Sequence, residues 1–201
     1  VYATNVTATF NLFDRLKHCG RFVFASSSAV YLWDDDHTLA RENAVCLPST
    51  PYGMGKLVAE AYVRHGGGIA MRYFNVYGPE QIATMTSRPV VASFLEALKR
   101  GERFTLDGGG CQVRDLVYVD DVAEANVMAL HSEDPSLLRG RAFNIGTGVG
   151  TSVVTLANKV RDAYATVTGF RTGPAFDASV IGPRRPGDVA IAVADASYAH
   201  D

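Results

Sequence analysis

Apolar and polar positions alternate along the chain with two periods. Helical spacing of apolar residues predicts helices over residues 4–17, 52–64, 90–100 and 151–168, and one more that ends at His131. Short apolar runs between them predict strands over residues 21–26, 69–74, 104–106, 116–119, 141–145 and 176–181. Strands that alternate with helices favour parallel βαβ units. The expected fold class is therefore α/β, with a doubly wound, Rossmann-like parallel sheet.

The ends of these elements carry recognisable signals. Thr4 or Asn5 is a possible cap of the first helix, and Asp120 or Asp121 of the helix that ends at His131. Pro51 stands where the first turn of a helix tolerates proline. The first predicted strand is a continuous apolar run, which is typical of a strand buried on both faces.

Ligands of parallel sheets bind at the carboxyl ends of the strands. The loops after Ser26, Phe74 and Ile145 are therefore the places where we expect the chemistry.

Charge and composition exclude several classes of function. The net charge is −2, and 47% of the residues are hydrophobic, which is an ordinary globular composition. Such a chain has no electrostatic footprint for nucleic acid or an anionic membrane, and no apolar run approaches the ~18 residues of a membrane helix. The cysteines Cys19, Cys46 and Cys111 form no Cys-x-x-Cys pair, which argues against a metal site or a disulfide framework. We expect a cytoplasmic protein with no nucleic-acid or membrane partner.

A tyrosine and a lysine one helical turn apart are the first candidate for chemistry. Tyr52 and Lys56 share one face of a predicted helix, roughly 6 Å apart. An ammonium at that distance lowers the pKa of a phenol from about 10 toward neutrality, and the phenolate is then a general base for a sugar hydroxyl. The alternative is a solvated lysine on an exposed helix face.

Three serines stand at the carboxyl end of the first predicted strand. A hydroxyl at Ser26, Ser27 or Ser28 can donate to and accept from a sugar oxygen or a phenol. Serines in such a loop can also satisfy their own backbone, and this alternative stays open.

Six segments of the chain, in order, carry a family resemblance. They are FVFASSSAVY (22–31), STPYGMGK (49–56), MRYFNVYGP (71–79), RDLVYVDDV (114–122), FNIGTG (143–148) and RRPGD (184–188). Together they resemble the extended short-chain dehydrogenases/reductases and, within them, the UDP-hexose 4-epimerases. The chain departs from the family pattern at Leu32-Trp33, where glycine usually follows Val-Tyr, and at Gly55, where serine is usual.

The resemblance implies a role for several residues. The catalytic set would be Ser27, Tyr52 and Lys56, with Tyr52 as the base and Lys56 on the nicotinamide ribose of NAD. The other residues implied to line the cofactor are Asn5, Ala25 and Tyr73. Asn5 and Tyr73 could equally be a helix cap and a core residue.

The resemblance also implies a clamp for the nucleotide sugar. Its members would be Ser27, Ser28, Asn75, Arg114, Arg185 and Asp188, with the arginines on the diphosphate or uridine side and Asp188 on the ribose hydroxyls. Two alternatives without a role in binding stay open: a surface ion pair between Arg114 and Asp115, and a simple turn at Pro186-Gly187.

The reaction implied is inversion at C4 of a UDP-hexose through a 4-keto intermediate, as in galactose metabolism. Dehydratases of the family place a carboxylate where Ser28 and Ala29 stand here, and no such group is present. The alternatives are another nucleotide-sugar epimerase, a 4-ketoreductase, or a non-catalytic remnant. The resemblance also implies a homodimer packed through the helices of Thr4 and Tyr52.

The glycine-rich turn that opens the family's dinucleotide fold, Gly-x-x-Gly-x-x-Gly, does not occur in these residues. We therefore expect an N-terminally truncated form, inactive by itself. The resemblance also divides the chain into domains, in which residues 1–75 are the remaining part of the NAD-binding domain. Residues 76–201 are mostly a sugar-nucleotide lobe, from which about 114–147 return to the first domain.

Overall fold

A computed structural model describes residues 2–18, 20–33, 39–84, 88–171, 173, 179–184 and 187–197. The chain divides into two compact units. The first comprises Val1–Val76, Asp115–Val149 and Ala192–Asp201, and the second comprises Tyr77–Arg114 and Gly150–Ile191.

The helices follow the predicted apolar periodicity closely. They are α1 (Ala8–Leu16), α2 (Pro51–His65), α3 (Val90–Arg100), α4 (Val119–His131), α5 (Pro135–Leu138) and α6 (Val153–Thr168). A π-helical turn over Ala3–Thr7 leads into α1. The strands are β1 (Val23–Ser27), β2 (Leu39–Ala40), β3 (Ile69–Tyr73), β4 (Asn75–Tyr77), β5 (Thr105–Asp107), β6 (Val113–Tyr118), β7 (Ala142–Ile145), β8 (Gly150–Ser152), β9 (Val180–Gly182) and β10 (Ile191–Ala194).

A three-stranded parallel sheet organises the first unit, in the order β1-β3-β7. In its register Ser27 lies opposite Tyr73, and Tyr73 lies opposite Ile145. The carboxyl ends of the three strands therefore form one row, and the loops that follow them start side by side. The prediction of a parallel α/β sheet is confirmed. A second set of short strands lies in the order β2-β10-β6-β4.

Helices α1 and α2 cover one face of the parallel sheet. The buried cluster between them and the sheet contains Phe13, Phe24, Ala59, Val63, Ala70 and Ala142. Outside it the Phe10 and Tyr62 rings stack at 3.8 Å. This apolar interface fixes α2 against β1, and α2 is the helix that carries Tyr52 and Lys56.

The second unit has its own core, in which α3 packs on α6. The rings of Phe94 and Phe104 stack at 4.5 Å, and the Arg161 guanidinium lies 4.4 Å from the Phe104 ring centroid. Helix α3 ends at Gly101, whose φ of 69° is in the left-handed region that favours glycine. The parallel pair β5–β9 completes this unit.

Some predicted details are wrong. Thr4 and Asn5 lie inside the helical turn before α1 and cap nothing, and Asp120 and Asp121 lie in the first turn of α4 without a side-chain capping bond. At this position their negative charges interact favourably with the positive end of the helix dipole and stabilise α4. Strand β1 is not buried on both faces, because Ala25 is exposed.

Helix and strand also do not alternate strictly, since β4 follows β3 and β6 follows β5 with no helix of α type between them. The start of the strand predicted at residues 176–181 lies outside the described residues, and so does Cys19.

Candidate active site at the ends of three parallel strands

Ser27 is the last residue of β1 and is half-buried. Its Oγ accepts a hydrogen bond from the Ala29 N–H at 3.2 Å and so caps the short 3-10 turn Ser28–Val30. This is the backbone-satisfying role that the sequence left open. The bond uses one lone pair of a hydroxyl that has two lone pairs and a hydrogen, so Ser27 can still bind a second group.

Helix α2 delivers Tyr52 and Lys56 to this end of the sheet. Thr50 caps the helix by accepting the Gly53 N–H at 3.0 Å, and Pro51 fills its first position. The Tyr52 ring is 44% exposed, and Lys56 Nζ lies 5.9 Å from its centroid. The two side chains therefore occupy the same side of the helix.

Lys56 is held to the sheet. Its ammonium donates to the Ala25 carbonyl of β1 at 2.8 Å, and Nζ lies 5.1 Å from the Phe24 ring centroid. Burial lowers the pKa of Lys56 from its usual value. Lys56 therefore links α2 to the strand that ends in Ser27.

Gly53 allows α2 to approach the Ser27 loop closely. A Cβ at this position would overlap the Ala29 carbonyl oxygen and lie 2.8 Å from the Pro48 Cβ. Because a hydrogen is all that fits, the backbone beside Tyr52 lies directly on the turn that follows Ser27. Glycine at this point of Tyr-Gly-Met-Gly-Lys thus has a packing reason.

Asn5 and Tyr73, implied as cofactor residues, have structural contacts as well. The Asn5 carbonyl accepts the Thr9 hydroxyl at 2.9 Å within the helix. The Tyr73 hydroxyl donates to Asn126 Oδ1 of α4 at 2.9 Å, and burial raises the pKa of this phenol. Tyr73 is therefore held as a neutral phenol at the end of β3, next in the row to Ser27.

Two predicted clamp residues of the second unit bind each other. Arg114 Nη2 donates to Asp188 Oδ1 at 2.6 Å, and both side chains are mostly buried. Gln112 Nε2 donates to the other Asp188 oxygen at 2.9 Å and to the Asp107 carbonyl. Sequence reasoning missed Gln112. Arg185 and Pro186 lie outside the described residues.

Asp115 overturns the surface-pair reading of Arg114-Asp115. It is fully buried in the first unit, and Arg114 pairs with Asp188 instead. Successive strand residues point to opposite faces, so Arg114 and Asp115 cannot share their partners. The Asp115 carboxylate accepts from the backbone of the loop after β7 and from β10. Asn75, another predicted clamp residue, donates its amide to the Asp115 carbonyl at 3.1 Å.

The departure at Leu32-Trp33 leaves the serine loop ordered. The Trp33 indole donates to the Ser28 carbonyl at 3.0 Å, and its ring packs edge-on against Tyr31 and Phe74. An aromatic side chain thus supports the loop one residue after the position at which the family pattern has glycine.

A buried ionic cluster beneath the site was not predicted. Glu60 of α2 and Arg72 of β3 are each 1% exposed and form an ion pair at 2.6 Å. Ser26, the neighbour of Ser27, donates its hydroxyl to Glu60 at 2.6 Å. A charged residue inside the apolar run IAMRYF was the available signal, because a buried arginine requires a partner.

The part of the chain that the structure describes has neither a candidate metal centre nor a helix that could span a membrane. No group of three or more His, Cys, Asp or Glu side chains there could hold a metal ion. In that part of the chain, no helix is both long and apolar enough to span a membrane.

Residues 1–146 match the model of a protein family described as the NAD dependent epimerase/dehydratase family. The chain is 33% identical to a putative UDP-glucose 4-epimerase of Methanocaldococcus jannaschii over 181 residues, which cover 86% of this chain and 56% of that relative. It is also 33% identical to UDP-glucose 4-epimerase 4 of Oryza sativa subsp. japonica, covering 98% of this chain and 57% of the relative.

Solved structures resemble the fold as well. UDP-glucose 4-epimerase of Thermotoga maritima, solved with UDP-glucose, superposes with a TM-score of 0.83 at 32% identity, over 98% of this chain and 62% of that one. UDP-glucose 4-epimerase of Thermus thermophilus, solved in complex with NAD, gives a TM-score of 0.77 at 30% identity, over 98% and 62%. The chain therefore spans less than two thirds of the length of these proteins.

Proposed function

The chain belongs to the NAD-dependent epimerase/dehydratase family, and we propose that it provides the catalytic residues of a UDP-hexose 4-epimerase. The observation that carries the proposal is the placement of Tyr52 and Lys56 by α2 against the loop of Ser27. Its relatives named UDP-glucose 4-epimerase are about 1.6 to 1.8 times as long as the matched segment. The activity is therefore proposed for a polypeptide of that length that contains residues 1–201.

The residues present suit the nicotinamide-ribose end of NAD. Ala25 exposes a small side chain on β1, so a flat ring meets no bulk there. Lys56 offers an ammonium that can donate to ribose oxygens, and the half-exposed side chain of Tyr52 lies beside it. NAD bound there would supply the hydride acceptor and donor for the sugar carbon.

The proton chemistry belongs to this chain. Tyr52 takes the proton of the 4-hydroxyl as the C4 hydride leaves, so the hydroxyl becomes a ketone. The Lys56 ammonium stabilises the negative charge of the Tyr52 phenolate that is needed for this step. Ser27 donates to the sugar oxygen and keeps it in reach of the phenol. After the ketone has turned over, a hydride returns to the opposite face of C4 while Tyr52 gives its proton back to the oxygen, which inverts C4 and restores the phenolate.

The nucleotide part of the substrate would be held by the predicted clamp. Arg114 carries a planar guanidinium that suits a diphosphate, and Asp188 accepts from ribose hydroxyls. Their ion pair in this structure keeps both side chains oriented and neutralises their charge. Asn75, Ser28 and Arg185 complete the proposed contacts on the phosphate and sugar side.

The test is product analysis with the full-length protein. UDP-glucose, UDP-N-acetylglucosamine and UDP-glucuronic acid are incubated separately, and the products are resolved by anion-exchange chromatography. The expected result is a mixture of the two C4 epimers of one of these substrates with no net change of absorbance from NADH. Net formation of NADH from added NAD together with a 4-keto product would show the reverse reaction of a 4-ketoreductase instead, and an unchanged substrate pool would refute epimerisation.

We extend the proposal to a homodimer formed through α1 and α2. Exposed apolar side chains lie on both helices: Leu12 and Leu16 on α1, Met54 and Val58 on α2. Exposed apolar surface of this kind is typical of an interface. Leu16→Glu should convert a dimer to a monomer in analytical ultracentrifugation, whereas Lys99→Glu on α3 should not. A monomeric parent protein would refute the proposal.

A further inference from the structure

Helix α2 holds two successive residues of β1 by hydrogen bonds. Lys56 donates to the Ala25 carbonyl at 2.8 Å. One helical turn later, Glu60 accepts the Ser26 hydroxyl at 2.6 Å. The next residue along β1 is Ser27. Two directional bonds from one helix therefore end immediately before the serine of the proposed catalytic set.

Glu60 is itself fixed in place. Arg72 Nη2 donates to Glu60 Oε1 at 2.6 Å, and Arg72 Nε donates to both carboxylate oxygens. Arg64, on the same helix, adds a contact at 3.2 Å. The acceptor that receives Ser26 therefore cannot turn away, because its oxygens are bound from β3.

The same arginine reaches the loop beyond Ser27. Arg72 Nη1 donates to the Tyr31 hydroxyl at 2.8 Å and to the Glu42 carbonyl at 2.9 Å. Tyr31 donates in turn to Asn144 of β7 at 2.6 Å. The segment from Ser26 to Tyr31 is thus tied at both ends to one buried cation.

Stability alone is a poor reason for such a cluster. Replacing a buried ion pair by apolar side chains of similar volume is often neutral or stabilising. Apolar contacts, however, are non-directional and allow a strand and a helix to slide, whereas hydrogen bonds to a fixed carboxylate define one register. The site above this cluster needs one register, because Ser27 lies on β1 and Tyr52 on α2.

We propose that Glu60 and Ser26 are positioning residues, which together with Arg72 set the register between β1 and α2 and thereby place Ser27 and Lys56 for the reaction. This inference rests on the proposed function for its catalytic consequence. Its structural claim, that the Ser26–Glu60 bond keeps Lys56 on β1, can be tested without turnover.

The variant that tests the proposal is Ser26→Ala. It removes the strand's bond to Glu60 but leaves the carboxylate bound to Arg72 and Arg64, so no buried charge is left unpaired. The matched control is Ser93→Ala in α3, which also deletes a buried hydroxyl. In the described part of the chain, Ser93 Oγ has no hydrogen-bond partner.

The first measurement is made on the 201-residue chain. Trace acetylation across a pH series, read by mass spectrometry, gives the titration of the four lysines. Burial keeps the pKa of Lys56 below its usual value. If the Ser26–Glu60 bond holds α2 to β1, Lys56 becomes less buried in Ser26→Ala, and its pKa shifts upward toward the usual value of a lysine. Ser93→Ala should leave it unchanged.

The second measurement uses the full-length enzyme. Ser26→Ala should lower kcat about 10-fold or more, because a displacement near 1 Å can cost ~10²-fold. KM for the UDP-sugar should stay within about twofold, since the nucleotide clamp is untouched. Ser26→Thr, which restores a hydroxyl, should recover part of kcat.

The two measurements test the proposed function and the positioning claim separately. An inactive parent enzyme would refute the proposed function, and the acetylation result would still decide the positioning claim. A Lys56 titration in Ser26→Ala that coincides with wild type would overturn that claim. So would a variant with a lower thermal midpoint and an unchanged kcat, because a merely structural bond behaves in that way.

Discussion

Asp115→Asn tests the reasoning about buried hydrogen bonds in the first unit. The Asp115 carboxylate is fully buried and accepts four hydrogen bonds. Oδ1 receives the Thr147 N–H at 2.8 Å and the Thr147 hydroxyl at 2.7 Å. Oδ2 receives the N–H of Gly148 at 2.9 Å and of Ala194 at 3.1 Å. The side chain thus joins β6 to the loop after β7 and to β10.

An asparagine has only one acceptor oxygen for these four donors. If its NH2 takes the Oδ2 position, two backbone N–H groups lose their acceptor. If it takes the Oδ1 position, only the Thr147 N–H does, because the Thr147 hydroxyl can turn and accept. The second arrangement costs about 1–3 kcal/mol for the orphaned donor and roughly 1 kcal/mol for each of the two bonds that lose a charged acceptor. We therefore expect a loss of about 3–5 kcal/mol of unfolding free energy.

The measurement is guanidinium unfolding of the 201-residue chain, followed by circular dichroism and analysed at constant m-value. Asp121→Asn is the matched control, since Asp121 is an exposed carboxylate in the first turn of α4. Its loss should cost less than about 1 kcal/mol. A loss of unfolding free energy below about 1 kcal/mol in Asp115→Asn would refute the claim that this carboxylate stabilises the loop after β7 through its hydrogen bonds.

Four further predictions follow from the site. Tyr52→Phe in the full-length enzyme should lower turnover about 10²–10⁴-fold with nearly unchanged KM, and retention of half the activity would exclude Tyr52 as the base. Arg114→Ala should raise KM about 10- to 100-fold at similar kcat, as a lost charge-assisted contact does; a collapse of kcat alone would contradict the clamp. Gly53→Ala should lower kcat, because its Cβ displaces α2 from the Ala29 carbonyl; a crystal structure with α2 unmoved would refute this. Burial opposes ionisation of Glu60, but Arg72 and Ser26 bring its pKa below the usual 4.5. The ionised carboxylate therefore contributes to stability above about pH 4.5, and this contribution is lost as the pH falls through the lower folded pKa. Glu60→Gln should lose less unfolding free energy than wild type as the pH falls below about 4.5, and parallel pH profiles of the two proteins would contradict this prediction.

The sequence by itself determined the elements that carry the site. The 3.6-residue period predicted α2, and a spacing of four put Tyr52 and Lys56 on one side of it. The apolar runs predicted β1, β3 and β7, whose carboxyl ends lie in one row. These features were readable because they depend on neighbours within a few residues along the chain.

Only the tertiary structure decided which polar groups meet. Glu60 has no local signal for its partners, because it binds Ser26 from 34 residues away and Arg72 from 12 residues away. The sequence offered Asp115 as the partner of Arg114. The hydrogen bonds of its carboxylate instead join residues 32 to 79 positions away, and Arg114 pairs with Asp188. Burial makes these pairings obligatory, because a charge without a partner in the interior costs far more than the bond returns. Which partner satisfies it depends on packing between distant segments, and no local period records that choice.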